Sequence, residues 1–143
     1  MENQKINFDF VFLGQSVLKY QVPLDIFSAI NQIYEQNYNN LAPANGQLVG
    51  KIENEHSLFY HGKDQTKMKN HNLLPRNVTD YFMTIFKHYL AFNKIKDYDT
   101  HLNSIWVNEM KQHEYNPTHI HRGMLFTGLS SVMILKLPST FGK

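Results

Sequence analysis

NSIWVNEMKQHEYNPTHIHRGMLFTGLSSVMILKLP, residues Asn103–Pro138, is the stretch on which the reading of the fold turns. An apolar run, Ile105 to Val107, leads in; Asn116-Pro117 marks a turn; His119 and His121 follow at i, i+2; a second apolar run, Val132 to Leu137, closes it. Alternate residues of a strand share a face, so His119 and His121 project together while Ile120 points away. Their backbones then lie roughly 6 to 7 Å apart, a spacing from which two imidazoles converge on one metal ion. Neutral imidazole suits iron, zinc, copper or nickel, so the ligand type alone does not select the metal. A His-x-His pair is weak evidence on its own, because such pairs also occur on exposed strand faces or as satisfied core residues. Its surroundings strengthen it: Thr118 is β-branched and favours a strand, and Arg122-Gly123 permits a sharp exit.

Upstream, the chain reads as scaffold. Phe8 to Leu13 and Val17 to Val22 have strand character, with Gly14-Gln15-Ser16 as the turn between them. Pro23 suits a first helical position, and Ile26, Phe27, Ile30, Ile33, Tyr34 and Tyr38 recur behind it at helical spacing. That helix is expected to end in Asn37 to Asn40, with a loop from Leu41 to Gly46. Leu48 to Ile52 and Ser57 to Tyr60 are short strand or turn candidates, and polar Gly62 to Asn72 is a solvated loop. A second helix is predicted over Asn77 to Phe92, capped by Asn77 with Asp80 in the capping-box position. Its apolar stripe is Val78, Tyr81, Phe82, Ile85, Phe86 and Tyr89, of the kind that packs on a sheet. Asn93 to His101 connects it to the organising stretch, with Ser104 to Met110 and Ser130 to Leu137 as strands of a mainly antiparallel sheet. The expected class is α+β, helices first and strands dominating after Asn103.

The whole chain, 143 residues, fits one domain with a real core; residues 1–102 form the scaffold part and 103–138 the metal-site strands. Hydrophobic residues make up 42%, which excludes disorder, and a net charge of +2 gives no case for nucleic acid or an acidic membrane surface. The absence of cysteine excludes disulfides and thiolate metal sites and fits a reducing compartment without requiring one. No apolar run approaches a membrane span, and MENQKINFDF lacks the plan of a signal peptide.

Trp106-Val107-Asn108, Glu114-Tyr115-Asn116-Pro117, His119-Ile120-His121 and Leu129-Ser130-Ser131-Val132-Met133-Ile134-Leu135, with Pro138, occur in this order. Together they resemble the Fe(II)- and 2-oxoglutarate-dependent oxygenases, most of all the prolyl-hydroxylase-like branch common in bacteriophages. Leu48-Val49-Gly50-Lys51-Ile52, with Glu55 shortly after, looks like an upstream block of the same branch. The likeness is strongest over Ser104 to Pro138, about a quarter of the chain. It implies a double-stranded β-helix, a jelly-roll (cupin-like) core flanked by N-terminal helices. It also implies Fe(II) in a facial triad, 2-oxoglutarate as co-substrate, and oxidation of an unactivated C–H bond in a small-molecule or peptidyl substrate. His119 carries over as the first metal ligand. His121 stands where many of these enzymes have an acidic ligand, so it either replaces that carboxylate or lies behind the ligands. Cytoplasm, that of the host cell for a phage-encoded chain, is the location the resemblance implies.

Trp106 and Asn108 alternate onto one strand face and are expected to line the cofactor pocket with Tyr115; packing in the core is the plainer role for Trp106 and Tyr115, and loop capping for Asn108. His113, Glu114 and His101 read as solvated loop residues. His56, His61, His71 and His88 have no partner at ligand spacing. After His121 come 22 residues (143 minus 121) without histidine, and the basic residues beyond Arg122 are Lys136 and Lys143. The family's downstream histidine and its 2-oxoglutarate-binding cation therefore have no counterpart, and the domain is expected to be incomplete at its C-terminus. A missing C-terminal segment or a second copy in a homo-oligomer is the implied partner. Two other functions stay open: a non-catalytic β-helix interaction domain, and a cupin-like protein holding metal with three histidines.

Overall fold

The computed structural model describes residues 6–12, 16–47, 49–60, 73–119 and 128–140. In chain order the elements are β1 (Phe8–Phe12), β2 (Ser16–Tyr20), α1 (Leu24–Asn37), the two-residue β3 (Ala42–Pro43), β4 (Asn54–Tyr60), α2 (Arg76–Phe92) and β5 (Ser104–Glu109). Single 3₁₀ turns lie at Tyr38–Asn40 and Asn45–Gln47. Antiparallel β1 and β2 form a two-stranded ribbon, and β3-β4-β5 form a three-stranded antiparallel sheet. The class is α+β as expected, but strands open the chain and alternate with the helices, because β4 has its ladder partner in β5 rather than in a neighbour along the sequence.

Both helices begin behind a proline. Pro23 is extended (φ −56°, ψ 144°), and its carbonyl accepts the Phe27 N–H at 3.0 Å, while Asp25 complements the positive helix end. Pro75, also extended, takes the same position for α2, its carbonyl accepting from Val78 and Thr79. Asn77 is therefore inside the first turn and is no cap, and Asp80 reaches Arg76 (3.4 Å) on the surface instead of closing a capping box. The helix start was signalled by the proline, not by the asparagine. At the far end the Lys94 and Ile95 N–H groups bond back to Ala91 and Leu90 with Lys94 at φ 57°, a left-handed C-terminal cap.

Ile26, Ile30 and Tyr34 of α1 and Val78, Phe82 and Ile85 of α2 meet Leu41, Leu58 and Leu74 in one core, with Ile105 and Val107 of β5 packed against it. The register shift between Ser57 and Phe59 makes Leu58 the extra residue of a β-bulge. In strict alternation only one of Leu58 and Phe59 could reach the core; the bulge lets both do so.

Three expectations are corrected here. Leu41 to Gly46 contains β3, and residues 49–52 join the fold through one antiparallel bridge, Lys51 with Tyr115, rather than as a strand. Ser130 to Leu137 is extended without ladder pairing among the described residues. Met133 and Leu135 pack inward while Val132 is 88% exposed and Ile134 faces out, so the run is buried on one side only. Leu13, Gly14-Gln15, Leu48 and Gly62 to Asn72 lie outside the described residues.

Between α1 and the sheet sits a polar cluster. The Glu109 carboxylate accepts from the Tyr38 hydroxyl (3.2 Å) and the Asn54 amide (3.0 Å), with His56 packed among Tyr34 and Tyr38. The buried Tyr34 hydroxyl acts on the same carboxylate from outside hydrogen-bonding geometry. Burial alone would raise the Glu109 carboxyl, but the donors around it and the facing His56 outweigh burial and hold it below the usual value. A depressed acid stabilises the fold above its unfolded pKa, and that contribution is lost as pH falls through the folded one. Acidification is therefore expected to lower the thermal midpoint less steeply in Glu109→Gln than in the wild type. Parallel slopes across the carboxylate range would contradict this.

Candidate functional site

The sheet has one face toward the helices and one away from them. Glu55 and Ser57 of β4 stand opposite Asn108 and Trp106 of β5, a set of four on the second face. Glu55 is 6% exposed, an unusual position for a carboxylate. Burial raises its carboxyl above the ordinary carboxylate value, against the lowering effects of a hydrogen bond with Asn108 and the charge of His119.

His119 reaches this place because the segment before it is held against residues 50–53. Lys51 and Tyr115 exchange both backbone hydrogen bonds (2.8 and 3.0 Å). The Glu114 carboxylate accepts the N–H groups of Glu53 (2.9 Å) and Lys111 (2.7 Å), and these two bonds keep it below the usual carboxylate value. Gly50 lets the chain pass: a Cβ there would stand 2.2 Å from the Tyr115 carbonyl oxygen and 2.8 Å from Pro117 Cδ. The His119 Nδ1 lies 2.7 Å from the Pro117 carbonyl oxygen. A carbonyl only accepts, so Nδ1 carries the proton and Nε2 the lone pair in the neutral ring. That tautomer, fixed by a backbone carbonyl, is how metal-binding histidines are commonly oriented.

Of the residues singled out from sequence, Asn108 and His119 converge on Glu55. Trp106 shares the Asn108 face but is 37% exposed, so it is not a core residue. Tyr115 holds the segment through its backbone, its side chain being mostly exposed. His121, with Arg122-Gly123, lies outside the described residues, as do His61 and His71. His113 is exposed at φ 68° and His101 is exposed, whereas His88 contacts the Tyr20 hydroxyl at 2.8 Å. Glu55 was absent from the expected site, because the strand was expected to begin at Ser57. The available signal was its period-2 relation to Ser57.

Among the described residues no group of three or more His, Asp or Glu side chains is placed to hold a metal ion. The described donors are an imidazole nitrogen and a carboxylate, an N/O set that suits Fe(II). An open cleft of about 510 Å³ is lined by Asn45, Gly50, Lys51, Ile52, Glu53, Lys111, Gln112 and Glu114, with neither Glu55 nor His119. Its Lys111 and Glu53 pair with each other at 2.8 Å, so the cleft presents little uncommitted charge for a ligand. No helix among the described residues is long and apolar enough to cross a membrane. Comparison with protein-family models, with curated proteins and with solved structures finds no match to this chain.

Proposed function

We propose that this chain is an Fe(II)- and 2-oxoglutarate-dependent oxygenase domain of double-stranded β-helix type, acting on a small-molecule or peptidyl substrate. One observation carries the reading. The two separate sequence blocks that resemble the phage-type oxygenases, residues 48–55 and 106–121, are packed together through Lys51 and Tyr115, Gly50 and Pro117, and Glu55 and Asn108. The orientation of His119 supports it further, since Nε2 is left as the nitrogen that can bind metal. Fe(II) with 2-oxoglutarate, when bound, supplies the oxidation of a C–H bond. The chain's own part is to hold and orient: His119 as ligand, with His121 carried over from the resemblance, and Asn108, Trp106 and Tyr115 as pocket residues.

Sequence after His121 offers no further histidine, so Fe(II) binding is expected to be weak and succinate release by residues 1–143 slow. Anaerobic Fe(II) titration of the wild type and His119→Ala tests the reading. Loss of a ligand is expected to weaken binding by at least about tenfold. Equal affinity in the two proteins would remove the metal site and the oxygenase with it. The exposed Val132 and Ile134 favour the alternative, a non-catalytic interaction domain, which absence of Fe(II) binding in the wild type would support.

A further inference from the structure

A buried carboxylate is costly unless a positive partner accompanies it, and Glu55 lacks the partner usual for one. The groups that act on it are the neutral Asn108 amide and His119; no lysine or arginine is among them. The Asn108 amide is directly across the ladder, so it fixes the carboxylate's direction without neutralising it. His119 arrives from a separate segment, locked by the Lys51–Tyr115 bridge, with Nδ1 committed to the Pro117 carbonyl. Metal-binding sites need this combination: an acidic oxygen held by a donor from a neighbouring strand, and an imidazole whose tautomer is set. It also addresses charge. Two histidines alone leave a divalent ion uncompensated, whereas a carboxylate from β4 removes one unit.

We propose that Glu55 is a carboxylate ligand of the metal ion that His119 binds, supplied from upstream on β4, with Asn108 as the residue that positions it. This rests on the oxygenase reading for the presence of a metal, but it assigns a ligand which that reading does not contain.

The test uses Fe(II) alone, titrated anaerobically into the whole chain and followed by calorimetry, with Co(II) absorption as a second readout of the ligand set. Four variants are compared: Glu55→Gln, Asn108→Ala, His119→Ala and, as control, His113→Ala. Glu55→Gln keeps the side-chain size and is expected to weaken Fe(II) binding by about tenfold or more and to alter the Co(II) spectrum. Asn108→Ala, which leaves the carboxylate in place without its donor, is expected to weaken it less, and His113→Ala not at all. Circular dichroism of each metal-free variant establishes folding; should Glu55→Gln not fold, Asn108→Ala decides. Wild-type affinity and spectrum in Glu55→Gln, beside lost binding in His119→Ala, would overturn the inference and leave the oxygenase reading intact. Wild-type affinity in His119→Ala would overturn both.

Discussion

Gly50→Ala is expected to cost about 3 kcal/mol of stability and, alone among the core and turn substitutions considered, to weaken metal binding as well. The added Cβ would meet the Tyr115 carbonyl oxygen at 2.2 Å and Asn116 Cα at 2.9 Å, both backbone atoms that no side-chain rotation can move away. Relief therefore requires the 115–117 segment to withdraw. Withdrawal breaks the two Lys51–Tyr115 hydrogen bonds, worth roughly 1 kcal/mol each, and adds overpacking strain of about 1 to 3 kcal/mol. Space, not backbone conformation, makes glycine necessary here, so the size of the side chain should set the size of the effect. Because the same segment carries His119 to Glu55, Fe(II) affinity is expected to fall by about tenfold in the folded variant. Thermal melts and Fe(II) titration check the two parts. A wild-type midpoint in Gly50→Ala would show that the bridge is not what holds the segment.

The helices were legible because their apolar spacing is strong: Ile26, Ile30 and Tyr34, and Val78, Phe82 and Ile85, are the positions that periodicity selects and the core buries. Strand β5 was legible for the same reason, with Ile105 and Val107 turned inward and Trp106 and Asn108 outward. What local pattern could not supply was pairing. Residues 132–135 have the composition of a strand buried on both sides, yet Val132 is open to solvent, since burial of the second face depends on a neighbour that composition does not name. Glu55 escaped for a related reason. A single carboxylate carries no periodicity, and only the β4–β5 register and the Lys51–Tyr115 bridge bring it to Asn108 and His119.

Leu58→Ala is expected to destabilise the chain by about 3 kcal/mol, a fall of roughly 10 °C in the thermal midpoint, while the folded protein keeps its Fe(II) affinity. Leu58 is fully buried in the cluster formed by both helices, and truncation leaves a cavity bounded by elements that cannot all collapse into it. Val132→Ala, at an 88% exposed position, supplies the contrast and is expected to change stability by less than about 0.5 kcal/mol. The sparing of metal binding follows from the strand itself. Leu58 contributes to the helix-covered core, whereas Glu55, three residues earlier, lies on the opposite face beside Asn108. Loss of core volume should lower the population of folded chain without moving that carboxylate, so the two substitutions separate two functions of the sheet: Gly50→Ala damages stability and site together, Leu58→Ala stability alone. If folded Leu58→Ala also bound Fe(II) at least tenfold more weakly, the bulge would have to be setting the register of Glu55 against Asn108, and the two faces of β4 would not be independent.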